Sequence, residues 1–193
     1  PNEYGTPLQV LGDPAQIERA IDLLNSAQRP VILAGSSAGA TAESSEVLRL
    51  VETMRIPFFS EDSARALIPD SHDYSMGLGY QPLNPAVQNL RDADVVLMLG
   101  KKLDYTLGFG GSPPFNENTK FVVVDPSPAQ VARARTAAVG IVGDVGPIVT
   151  QMADAAAKRN WNERTEWVDS IRSTRDRWRS ELEALGVVEN PMH

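Results

Sequence analysis

The sequence predicts an α/β fold: a doubly wound, mostly parallel sheet of six strands with helices on both faces. Two observations carry the prediction. Short runs at 30–34, 94–99, 121–124 and 139–142 are apolar almost throughout, and each stops at a glycine or an aspartate. Continuous apolar runs, rather than alternating ones, belong to strands covered on both faces, as in a parallel sheet with helices packed on each side. A capping residue followed by proline also recurs three times, at Asp13-Pro14, Asn84-Pro85 and Ser127-Pro128. Helix starts placed beside apolar strands make alternating β and α the natural order.

Residues 1–12 read as a linker. Asp13 caps a first helix with Pro14 at its first position, and Ile17, Ala20, Ile21 and Leu24 form one apolar stripe. The first strand is 30–34. Thr41 is expected to cap a second helix that turns Val47, Leu50, Val51 and Met54 inward, and Ile56 to Phe59 is expected to be the second strand. The stretch from Ser60 to Tyr80 is loop-rich, with one further strand expected within 74–80. Asn84-Pro85 opens a helix carrying Val87 and Leu90, strand 94–99 follows, and 103–119 is a long glycine- and proline-bearing connection of the kind that is often functional. Ser127-Pro128 opens the helix of Val131, and Pro147 opens the last helices. There Trp167, Ile171, Trp178, Leu182 and Leu185 recur at helical spacing, a stripe for docking on the domain or its neighbour. Gly186 ends that helix, leaving 13–186 as one domain and 187–193 as an exit linker.

A chain of 193 residues suffices for one good core. Its net charge of −7 argues against a nucleic-acid partner, which needs clustered Lys and Arg. The absence of cysteine excludes disulfides and thiolate chemistry and fits a cytoplasmic location. No apolar run approaches the roughly 20 residues that cross a bilayer, so no membrane partner is expected. The chain starts at Pro1 and ends on Pro191-Met192-His193, so a piece of a longer protein is expected.

In a parallel sheet, ligands gather at the carboxyl ends of the strands. Gly35-Ser36-Ser37-Ala38-Gly39 lies there, between a strand and a helix. It reads either as an anion cradle of backbone N–H groups or as a tight turn that needs glycine. It matches neither the G-x-G-x-x-G fingerprint nor a Walker A loop. Asp125 and Asp144, also at strand ends, read either as acceptors for ribose hydroxyls or as caps of their own turns. Lys101 and Lys102 beside Asp104 read as pyrophosphate ligands or as surface pairs. His72 and His193 are the only histidines. No nucleophile–base arrangement or metal site can be built, and Glu61-Asp62 is an adjacent acid pair with no evident common target.

In order and spacing, these pieces resemble the central domain of thiamine-diphosphate-dependent enzymes of the acetolactate synthase, pyruvate oxidase and 2-hydroxyacyl-CoA lyase type. The resemblance rests on Arg29 to Gly35, Ala93 to Asp104, Val124-Asp125-Pro126-Ser127-Pro128 and Val142-Gly143-Asp144-Val145, and spans about residues 10–155. It implies a Rossmann-like, DHS-like sheet flanked in the parent chain by pyrimidine- and diphosphate-binding domains. Those domains hold thiamine diphosphate and magnesium and supply the catalytic glutamate. The parent would act on 2-keto or 2-hydroxyacyl substrates as a homodimer or homotetramer, and this chain alone would carry no catalytic residue.

The resemblance also implies an ADP or FAD site on Gly35, Ser36, Ser37, Gly100, Lys101, Lys102, Asp104, Asp125, Pro126, Asp144 and Val145. Acetolactate synthases generally read Gly-Ala-Arg-Phe-Asp-Asp-Arg where this chain has Gly100-Lys101-Lys102-Leu103-Asp104-Tyr105-Thr106. The loss of both arginines favours an ADP-like moiety over FAD, because Lys lacks the bidentate fork of Arg. The rival readings are a structural spacer with an empty crevice and a remote sirtuin-like NAD-binding domain. The second predicts a catalytic histidine and usually a zinc site of four cysteines, whereas this chain has no cysteine and only a loop and a terminal histidine.

Overall fold

The computed structural model describes residues 8–134 and 137–186. The expected exit linker and residues 1–7 of the expected lead-in lie outside the described residues. In chain order the elements are α1 (Pro14–Ser26), β1 (Pro30–Ala34), α2 (Ser36–Thr41), α3 (Ser44–Met54), β2 (Phe58–Ser60), β3 (Ser75–Leu78) and β4 (Val95–Leu99). They continue with β5 (Lys120–Asp125), α4 (Pro128–Arg133), β6 (Ala137–Val142), α5 (Val145–Ala156) and α6 (Thr165–Gly186). All six strands pair in parallel, in the order β3-β2-β1-β4-β5-β6. The order reverses between β1 and β4, which makes that junction the topological switch point.

The apolar runs place two cores on opposite faces, because successive side chains along a strand point to opposite sides. Ile32, Leu97, Val122 and Val124 meet the stripes of α1, α3 and α5, including Ile21, Leu50 and Ile148. Val31, Leu33, Val96, Met98 and Phe121 meet Val87, Leu90, Phe115, Trp167 and Ile171 on the other face. No helix among the described residues is long and apolar enough to cross a membrane.

Several local expectations are corrected by longer-range bonds. Thr41 ends α2 instead of capping α3, whose cap position is Glu43. Its hydroxyl donates to the Ser37 carbonyl and accepts from the Gly146 N–H, so it joins α2 to α5. The segment Pro85–Asp92 is a 3₁₀ helix held at its start by Asn84, whose amide donates to the Met76 and Leu78 carbonyls. Asp94 lies just before β4. Its carboxylate accepts the Gln28 and Arg29 N–H groups at 2.7 and 3.0 Å and fixes the approach to β1. α5 begins at Val145, ahead of Pro147.

Arg164 closes the amino-end side of the molecule. Its guanidinium donates to the carbonyls of Leu24, Asn25 and Ala27 at 2.8–3.1 Å, and more weakly to that of Met54. The unpaired carbonyls at the ends of α1 and α3 thus receive donors from one side chain. Burial pulls the Arg164 pKa below its ordinary value, against the pull of Asp94. Along α6, Trp167, Val168 and Ile171 are buried, and the Trp167 indole donates to the Pro30 carbonyl. Leu182 and Leu185, from the same stripe, stay exposed.

Candidate functional site

The carboxyl ends of β1, β4 and β5 are bonded to one another. The Gly35 N–H donates to the Leu99 carbonyl at 2.9 Å, the Ser37 N–H to the Gly100 carbonyl at 3.3 Å, and the Gly100 N–H to the Val124 carbonyl at 2.8 Å. This contact requires both glycines. A Cβ at Gly35 would lie 2.8 Å from the Cα of Lys101. One at Gly100, where φ is +60°, would lie 2.6 Å from the Cβ of Ser37. Of the two readings of the first glycine turn, the tight turn accounts for the Gly35 and Ser37 amides, which are already engaged within the chain.

The open space lies to one side of the switch point, toward β2 and β3. A cavity of about 430 Å³ is lined by Glu61, Asp62, Leu78 and Tyr80 on one side and by Lys101, Asp104, Tyr105 and Thr106 on the other. This volume falls in the lower part of the roughly 300–1,000 Å³ range of small-molecule sites. Glu61 directly follows β2, and its N–H bonds the Ala34 carbonyl, which brings its side chain to the β4 turn. Its Oε2 lies 2.8 Å from the Nζ of Lys101, whose other partner is the Asp104 carboxylate at 3.2 Å. The side chains of Glu61 and Lys101 are only 8% and 7% exposed.

Burial raises the Glu61 carboxyl above its ordinary range, against the hydrogen bond from Lys101. Burial alone would lower Lys101, but the hydrogen bond and charge of Glu61, joined by Asp104, reverse the balance and raise it. Asp104 is lowered: burial opposes this, and the hydrogen bonds from Thr106 together with the Lys101 charge prevail. Asp62 sits beside the trio in the left-handed region, with φ +52°, and accepts the Ser36 hydroxyl at 3.1 Å.

Of the eleven residues implied by the resemblance, the structure brings Lys101 and Asp104 into this cavity. Gly35, Ser36, Ser37 and Gly100 stand next to it, and Lys102 is exposed on the surface. Asp125, Pro126, Asp144 and Val145 lie farther along the same rim, at the ends of β5 and β6, and do not line the cavity. Asp125 is buried and accepts the Ser127 N–H at 2.8 Å, so it caps its own turn. Asp144 holds the lead-in: its carboxylate accepts the Val10 N–H and its own N–H donates to the Val10 carbonyl, both at 2.8 Å. Val145 is buried.

Glu61 and Asp62 face one space after all, together with Tyr80 and Tyr105. The signal for Glu61 was its position immediately after a buried strand, the same position Gly35 holds after β1. Among the described residues no three His, Cys, Asp or Glu side chains gather as a metal site. The cavity lining therefore does not fit a magnesium–diphosphate group.

Comparison with known proteins agrees with this architecture. The family model described as "Thiamine pyrophosphate enzyme, central domain" matches residues 17–152. A 2-hydroxyacyl-CoA lyase of Arabidopsis thaliana is 34% identical over 137 residues, covering 70% of this chain and 22% of the lyase. The acetolactate synthase large subunit IlvG of Mycobacterium tuberculosis is 30% identical over 179 residues, covering 92% of this chain and 30% of the synthase. The chain thus spans less than a third of the length of these relatives. The solved structure of a thiamin diphosphate-dependent enzyme from Mycobacterium smegmatis shares the fold, with a TM-score of 0.66 at 16% identity over 83% of this chain and 31% of that one. The six-stranded parallel sheet and the match over most of its length lead to one conclusion: this chain belongs to the thiamine pyrophosphate enzyme family, as its central domain.

Proposed function

We propose that the chain is the bracing domain of a thiamine-diphosphate-dependent synthase, decarboxylase or lyase acting on 2-keto or 2-hydroxyacyl substrates. In this reading residues 13–186 form the brace and the segments on either side lead to the pyrimidine- and diphosphate-binding domains. Those domains hold the cofactor with its magnesium, in a cytoplasmic homodimer or homotetramer. The cofactor supplies the carbanion chemistry, and the described residues contribute rigidity and position.

The observation that carries this reading is the bonding of the β1, β4 and β5 turns to one another. A rim closed by its own backbone bonds resists deformation, and it leaves the Gly35 and Ser37 amides unavailable to a diphosphate. The test is turnover of pyruvate and of a 2-hydroxyacyl-CoA by the parent polypeptide with thiamine diphosphate and magnesium, beside the 193-residue chain. The expected result is cofactor-dependent turnover by the parent and none by the chain alone. Turnover by the chain alone, or cofactor-independent turnover by the parent, contradicts the proposal.

One observation favours a second, compatible reading. The Lys101 cavity offers carboxylates for ribose hydroxyls and lies near Lys102, so its size and chemistry suit an ADP-like moiety better than whole FAD. Melting of the chain with ADP, FAD and CoA separates this reading from the empty brace. A ligand at a hundred times its Kd adds about 2.7 kcal/mol of stability.

A further inference from the structure

We propose that the free edge of β6 is a self-association site, at which two copies of this chain pair their β6 strands antiparallel about a two-fold axis. The two edges of the sheet are unlike. At one end of the strand order, β3 is four residues long and three of its carbonyls are already taken. The Asn84 amide donates to those of Met76 and Leu78, each at 2.8 Å, and the Arg175 guanidinium to that of Ser75. At the other end, β6 pairs with β5 alone. Its six residues, Ala137 to Val142, include no charge and no proline, the devices that ordinarily keep an exposed edge from pairing with another strand. The Gly143 N–H donates to the Asp125 carbonyl, in register with Ile141 and Val139 toward β5. The N–H and C=O groups of Gly140 and Val142 therefore turn outward, because a strand bonds each neighbour through alternate residues.

The side chains beside this edge are complementary to their own copies. Val139 and Ile141 are buried, and Ala138, Gly140 and Val142 alternate onto the other face. A Cβ at Gly140 would lie 2.5 Å from Cγ1 of Val131, so α4 covers the middle of that face and leaves Ala138 and Val142 exposed. With Gly140 on the two-fold axis, Ala138 of one copy falls opposite Val142 of the other, and the uncovered apolar side chains cover each other. Arg133, exposed at the end of α4, precedes β6 and Asp144 follows it. Antiparallel pairing brings these unlike charges toward each other at both ends, whereas parallel pairing sets like beside like. The lead-in widens the apolar area. Its Val10 is bonded to Asp144 beside the end of β6, and Leu8, Val10 and Leu11 are 94%, 55% and 61% exposed. A two-fold contact uses the same patch on both copies, and with the β3 carbonyls occupied the pairing closes at two chains.

The test is sedimentation velocity of the 193-residue chain from about 1 μM to about 1 mM, the affinity range of a small interface, with hydrogen exchange at both ends of that range. Wild type is expected to pass from monomer to dimer, and the Gly140 and Val142 amides are expected to exchange more slowly as it does. Ala138→Lys and Val142→Glu, both on exposed side chains, are each expected to raise the dimer Kd at least about tenfold. The two combined in one chain set lysine opposite glutamate across the axis and are expected to return the Kd to within about threefold of wild type. If a variant fails to melt cooperatively, the wild-type exchange data give the readout. A chain that stays monomeric at about 1 mM overturns the proposal. So does a dimer that both single variants leave unchanged, or a double variant that dimerises no more tightly than the singles. Slow exchange at Gly140 and Val142 in a dilute, monomeric parent polypeptide assigns the edge to another strand of that polypeptide and overturns it as well.

Discussion

Lys101 and Glu61 form an ion pair of 2.8 Å between side chains that are both more than nine-tenths buried, at the meeting point of the β2 and β4 turns. Removing one partner of such a pair strands a charge, whereas replacing both with apolar groups can be close to neutral. Lys101→Met alone is expected to cost about 3 kcal/mol in urea unfolding. The double replacement Glu61→Leu with Lys101→Met should recover most of that loss. A single variant within about 0.5 kcal/mol of wild type, the range of an ordinary surface change, would show that the pair is hydrated and structurally idle.

Asp104 gives the cluster a pH signature. Its folded carboxyl lies below the ordinary value of 3.8. It binds a proton less readily folded than unfolded, so its contribution is present above about pH 4 and is lost as pH falls through the folded value. Glu61, raised by burial, works in the opposite sense and eases as pH falls. Wild type is therefore expected to exceed Asp104→Asn in stability at pH 6, with the gap closing by about pH 2. A gap that stays constant with pH would assign the Asp104 effect to packing.

Arg164 has the broadest reach of any single side chain described above. Its loss leaves the carbonyls at the ends of α1 and α3 without donors. Arg164→Ala is expected to destabilise by about 2–3 kcal/mol, and Arg164→Lys to restore less than half, because a single ammonium cannot reproduce the planar fork. Full rescue by lysine would mean that charge, not geometry, matters there.

Asp144 ties the lead-in to the start of α5. Asp144→Ala removes the acceptor for the Val10 N–H while Gln151 still holds Gly12 on both sides, at 2.9 and 3.1 Å. Hydrogen exchange should quicken at Val10 and stay slow at Gly12, with about 1 kcal/mol lost overall. Equal acceleration at both positions would indicate that the whole segment depends on Asp144.

The sheet was legible because its evidence is local. Val31 to Ala34, Val95 to Leu99 and Phe121 to Val124 are apolar without interruption, and each forms a buried parallel strand. Asp13 and Pro14 open α1 as their residue types dictate. The misreadings lie where a distant partner decides. Thr41 looks like a cap but bonds Gly146, 105 residues away. Pro85 to Asp92 carries helical spacing yet winds as 3₁₀ behind an Asn84 anchored to β3. Glu61 and Asp62, read as neighbours without a common target, acquire one only when the β4 turn brings Lys101 to them. Asp125 and Asp144 stand on the rim where their strands end, and what they hold there is the chain's own backbone.

The β1, β4 and β5 turns close the rim at the switch point with their own backbone bonds, so in the proposed reading the domain braces its neighbours without holding a flavin. Titration of FAD into the 193-residue chain, followed by flavin fluorescence and by melting, tests it most directly. No saturable flavin signal and an unchanged Tm are expected. Saturable binding that adds about 2.7 kcal/mol at a hundred times the Kd would contradict it.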